Sequence, residues 1–374
     1  MAIAAVVAVA SILTWARGPA SPTGAKRSRL DRAADAPLGA ATPSDQPPAS
    51  TSPAPPAVSS PAPGFDAQGS VAGACAGKTQ VTPFPAGTSL TAPWKLAQPQ
   101  QDATYILDKV TSQAYPDHVS ASGSVFAVGM AAPAVSSCVI GGFVQGHLAD
   151  TVTWEQAHAL HNGACLLYIG TGSIDIHNLR CDDVEDGVRP EETTRNANNA
   201  TLNIRGTYFT RVRDDCIEND FVIGGILADN LWEQCNTGVS ERPPEKASPF
   251  TSPKDESLTL DHMVMGLYLN HHEAGMGENV LFKWSPSANA LVIKCSIFKV
   301  DAMSLNGPES MSFPATTVID DRACPANPTT LVWLGGGSYP GWLPPGVRVV
   351  STVETWSGAV TGWRCRHGYQ TTGC

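Results

Sequence analysis

Residues 201–220 read TLNIRGTYFTRVRDDCIEND. A short alternation at Leu202 and Ile204 gives way to a polar bend. Cys216 and Ile217 then sit among four acids and two arginines. The same plan recurs on both sides. SIDIHNLRCDDVEDGVRP (173–190) opens on Ile174 and Ile176 and closes on Gly187 and Val188. VIGGILADNLWEQCNTGVSERP (222–243) closes on Gly238 and Val239, and SLTLDHMVMGLYL (257–269) repeats the opening. Apolar residues at period two mark short strands, and Asn, Asp and Gly between them mark bends. Val188 and Ile217 lie 29 positions apart, Ile217 and Val239 22. A period in the twenties without an intervening helical stripe predicts stacked coils rather than leucine-rich or βαβ repeats. The longer first interval is expected to hold a loop, EETTRNANNA (191–200).

In such a coil Ile217 stacks inward on Val188 and Val239. Cys216, Glu218 and Asp220 are expected to face outward. Neighbouring coils lie about 4.8 Å apart, so equivalent residues form ladders. The expected ladders are Gly187–Cys216–Gly238, Arg189–Glu218–Ser240 and, at the corner, Asp186–Asp215–Thr237. Weaker copies at 138–146, 289–300 and 329–337 extend the stack. Val353, Trp356, Val360 and Trp363 fall at helical spacing and predict a short C-terminal helical cap on its open end.

These repeats resemble the right-handed parallel β-helix of the pectate-lyase-like superfamily, over roughly residues 135–340. The resemblance implies an all-β solenoid and activity on polysaccharide. EDGV (185–188) followed by RDDCI (213–217) is similar to the two acidic motifs of polygalacturonases. It implies Asp214 as general acid, with Asp186 and Asp215 activating water. The chain departs from that family in three ways. Thr237 stands where a His is expected, no later Arg-x-Lys follows, and the interval between the acidic motifs is longer.

Other chemistry competes. A lyase would neutralise a uronate with Arg189 and Arg242, or with calcium held by Asp182, Asp183, Glu185, Asp186 and Asp215. No EF-hand spacing accompanies these acids. A purely structural role would pair the acids with Arg211, Arg213 or Arg242 and with backbone amides. Arg189, Glu218, Glu241, Arg242 and Trp232 are the expected substrate contacts, with Trp154 a second aromatic that could stack on a sugar. NHHEAGMGE (270–278) lacks metal-site spacing and reads as a polar loop. His177 is expected at the surface.

The bulk composition bounds the rest. A net charge of −10 argues against general affinity for nucleic acid. Residues 176–245 hold seven Arg and no Lys, against fourteen acids, so most of these Arg are expected in ion pairs. MAIAAVVAVASILTW opens an apolar segment, 1–18, of the size of a signal-peptide core or a truncated membrane anchor. Residues 19–74 are rich in Pro, Ala and Ser and read as a disordered linker. The β-helix domain then spans 75–374. Ten cysteines without a CxxC pair predict up to five disulfides and a secreted, periplasmic or cell-surface location. The expected function is hydrolysis or elimination on an acidic polysaccharide. The alternative is a noncatalytic glycan-binding or structural surface protein, and a uronate epimerase shares the fold.

Overall fold

A computed structural model describes residues 75–112, 124–161, 163–192, 200–242, 256–277 and 280–374. The expected leader (1–18), the linker (19–74) and most of the loop after Glu191 lie outside the described residues. What is described is an all-β parallel β-helix: a 22-stranded sheet, plus one antiparallel hairpin, Asn270–His272 with Gly275–Gly277.

Each coil contributes strands to stacked ladders. The column proposed from sequence is present and longer than expected. Phe126, Leu166, Val188, Ile217, Val239 and Phe282 follow one another in parallel register. A second column runs Val139, Ile176, Ile204, Leu227, Leu260, Ile293 and Ile319. Between coils the backbone amides and carbonyls pair, so the apolar side chains can fill the lumen without stranding a polar group. Phe209 and Trp232 stack there at 5.5 Å between ring centres.

One corner explains the polar residues that punctuate the repeats. Asn178, Gly206, Asp229, His262 and Cys295 each follow a strand and each adopts a positive φ, between 50° and 63°. Gly takes this conformation freely, and Asn and Asp tolerate it better than other residues. At three of these corners the next residue is polar: Thr207, Asn230 and Ser296. Asn230 Oδ1 accepts from the Thr207 amide, and its Nδ2 donates to the Ile204 carbonyl. Ser296 Oγ accepts from the Met263 amide of the preceding coil.

Two expectations are corrected. Cys216 does not face outward: it is fully buried and disulfide-bonded to Cys235. A Cβ on Gly187 would lie 2.8 Å from the Phe209 ring, and one on Gly238 2.6 Å from Met265 Sδ. The Gly187–Cys216–Gly238 set therefore borders the core, where only small side chains or a disulfide fit. The C-terminal helix, Val353–Arg366, forms as expected but lies along the side of the stack. Its Trp356, Val360 and Trp363 pack against Tyr208, Leu231, Val264 and Val332, residues of successive coils. Apolar outward residues in register create a lateral stripe, and the helix covers it.

All ten cysteines pair: Cys75–Cys138, Cys165–Cys181, Cys216–Cys235, Cys295–Cys324 and Cys365–Cys374. Five disulfides fit an oxidising compartment. Among the described residues no helix is long and apolar enough to cross a membrane.

Candidate active site

The strand Tyr208–Glu218 slips register against Leu231–Glu241 between Val212 and Asp215. Three steps on one strand match two on the other, which is a bulge. Strict alternation fails there, and Asp214 and Asp215 both reach the same outer corner. Asp186 arrives on the preceding coil. The three carboxyl groups each offer an oxygen within 4.8 Å of the others. The Asp215 amide donates to Asp186 Oδ1 at 3.1 Å, which locks two coils together at this point.

Three cations hold the acids. Lys283 Nζ lies 3.0 Å from Asp214 Oδ1 and 2.8 Å from Asp215 Oδ1. Arg189 Nη2 lies 2.6 Å from Asp186 Oδ2, and its Nε contacts Glu218. His158 Nδ1 lies 3.0 Å from Glu185 Oε1 and 3.5 Å from Asp214 Oδ2. His158 comes from the short helix Trp154–His161, an excursion between two strands. Trp154 stacks on His158, with ring centres 4.8 Å apart, and on His272 of the hairpin at 6.0 Å. His272 in turn pairs with Glu155, so helix and hairpin form one wall beside the acids.

The environments push these groups apart. Burial would raise the Asp214 carboxyl, but Lys283 and His158 outweigh it and hold Asp214 ionised. For Asp215, burial and the neighbouring charges of Asp214 and Asp186 prevail over Lys283 and raise it. Burial lifts Glu185 to about 7, and burial with the Asp186 charge raises Glu218. Hydrogen bonds to Asp214 and Glu185 lift His158 to about 10. Five carboxyl groups face three cations in a poorly solvated corner, so the cluster retains protons on its acids.

The expected residues sort as follows. Asp186, Asp214, Asp215, Arg189 and Glu218 are brought together. Glu241 is not part of this group. It is fully buried and accepts from Asn219 Nδ2 at 2.9 Å and the Asn289 amide at 3.2 Å, holding neighbouring coils. Trp232 cannot stack on a sugar, because it is 0% exposed in the core and donates to Thr207 Oγ1. Arg242 is exposed at the end of its strand. His177 is buried rather than superficial, and desolvation lowers it to about 4.

The expected calcium set does not fit. Arg211 takes Asp182 at 3.0 Å and Arg213 takes Asp183 at 2.6 Å. Of the remaining acids, Glu185 faces His158, Asp186 faces Arg189 and Asp215 faces Lys283, so side-chain cations already stand against each of them. The pairing of acids with Arg211 and Arg213 thus holds for Asp182 and Asp183, and spares Asp186, Asp214 and Asp215.

Lys283 and His158 escaped the sequence reading. Lys283 follows Phe282 in LFKW (281–284), which continues the interior column 43 positions after Val239. Val239 to Leu260 takes 21 positions where Ile217 to Leu227 takes 10, and the hairpin lengthens the remainder, so the period breaks here. His158 carried no signal, because its helix interrupts the repeat altogether. No family model, curated protein or solved structure matches the chain.

Proposed function

We propose that this chain is an exported carbohydrate-active enzyme that hydrolyses a glycosidic bond at the Asp186–Asp214–Asp215 cluster. One observation carries the reading. Two adjacent carboxyls, Asp214 and Asp215, share one lysine yet are pushed in opposite directions, which supplies an ionised group and a protonated one side by side. Asp215 donates its proton to the leaving glycosidic oxygen as the C–O bond breaks. Asp214 takes the proton of the water that attacks the anomeric carbon. This reverses the roles that the polygalacturonase resemblance implies. A water between acid and base needs about 6.5–9.5 Å. The carboxyls stand closer, within 4.8 Å, so substrate must part Asp215 from Asp214 while Lys283 stays on Asp214.

A panel of neutral and acidic polysaccharides, incubated with the full chain, tests the reading. New reducing ends without ultraviolet absorbance support hydrolysis. Asp215→Asn and Asp214→Asn are each expected to lower the rate by about 10²–10⁴-fold. New absorbance would assign elimination instead. No product from any glycan would favour a noncatalytic glycan-binding or structural protein. That second reading draws on the ion pairs themselves, since each acid of the trio has a partner within the chain.

A further inference from the structure

Taking the cluster as a sugar site, which rests on the reading above, we infer that the sugar bound at the cleaved bond is uncharged and not a uronate. The geometry of the cations carries this. Each one bridges two carboxyl groups of the protein itself. Arg189 spans Asp186 and Glu218, Lys283 spans Asp214 and Asp215, and His158 spans Glu185 and Asp214. A uronate would have to compete for any of them with two carboxyl groups of the protein that already hold it. Asp186, Asp214 and Asp215 are 1%, 7% and 4% exposed, so the displaced charge would be left without solvent. Breaking a buried pair in that way is strongly unfavourable. Recognition of a polyuronate needs positive charge beyond what the protein uses internally, and among the described residues each cation of this cluster already faces two carboxyl groups.

The surroundings are suited to hydroxyl groups. The coil after Asp215 and Glu218 places Thr237 and Ser240 in register with them. Two further polar atoms at this corner, Glu185 Oε2 and Asn236 Nδ2, are buried and have no hydrogen-bond partner among the described residues. Glu185 contacts His158, and Asn236 Oδ1 lies 3.4 Å from His272 Nε2, so both stand at the foot of the wall beside the trio. An amide and a carboxyl that retains a proton donate and accept without net charge, as sugar hydroxyls do. Unmet polar atoms of this kind call for a partner.

The test is calorimetric binding of the full chain to oligosaccharides in pairs matched for linkage and length: glucose with glucuronate, galactose with galacturonate, mannose with mannuronate. Release of reducing ends is followed in parallel. Within any pair that binds, the neutral member is expected to bind about tenfold or more tightly. Glu218→Gln removes one partner of Arg189 and is expected to narrow the gap by improving uronate binding. A uronate member that binds the unmodified chain as tightly as its neutral partner overturns the inference, and so does failure of every neutral oligosaccharide to bind. Neutral binding without reducing ends upholds the sugar class while removing hydrolysis.

Discussion

Asp214 and Asp215 are chemically identical neighbours that differ only in which charges face them. Lys283 is the residue that makes their juxtaposition tolerable. Lys283→Met would leave two buried carboxyls facing each other, and one of them would have to keep a proton. The expected loss is about 3–5 kcal/mol in unfolding free energy, read from urea denaturation. A loss within about 0.5 kcal/mol would mean that the pair is solvated and the site is not as buried as described. The raised groups also set a pH dependence. Glu185 holds its proton to about 7 in the folded chain, whereas an unfolded Glu releases it near its ordinary value. The folded state then binds more protons, so stability falls as pH rises through that window. His158, raised to about 10, keeps its contribution below its ordinary value and loses it as pH climbs through 10. Glu185→Gln should flatten the decline between about pH 4.5 and 7 in denaturation midpoints. An unchanged slope would place the retained proton elsewhere.

At the scale of elements, three departures from a regular coil define the molecule. The bulge before Asp215 turns two consecutive acids to one side. The helix Trp154–His161 and the hairpin Asn270–Gly277 supply a wall. The C-terminal helix covers a stripe drawn from coils as far back as Tyr208. Trp356 inserts over Gly266, where a Cβ would lie 2.9 Å from its ring. Trp356→Ala is expected to cost about 3–5 kcal/mol, because the stripe would be left open to water. Catalytic or glycan-binding readouts should be retained in that variant, since the helix does not contact the acids. A stability loss below about 1 kcal/mol would show that the helix is not needed to seal the stripe.

At the scale of the whole molecule, stability is a sum of neighbouring coils, and cross-links matter by where they sit. Cys216–Cys235, with a separation of 19 residues, lies next to Asp215 in the middle of the stack. Cys365–Cys374 joins positions 9 apart at the C-terminus. Replacing the first pair by Ala is expected to cost about 2–4 kcal/mol, and the second less. The first should also impair the site, and equal effects would contradict the local role assigned to Cys216.

The sequence by itself determined the coil. Alternating apolar residues recur at a spacing that only stacking can satisfy, and left-handed corner residues recur with them. The Val188–Ile217–Val239 column and the meeting of Asp186 with Asp214 and Asp215 were therefore readable, because a constant period converts sequence distance into spatial contact. Tertiary structure alone decided the rest. Lys283 and His158 reach the acids from segments where insertions break the period, and Cys216 turned inward beside a bulge where simple alternation fails. Periodicity fixes which residues are neighbours along the stack. It does not fix which way a side chain turns at a bend, nor what an inserted helix or hairpin brings beside it, because those depend on packing against partners that no local pattern encodes.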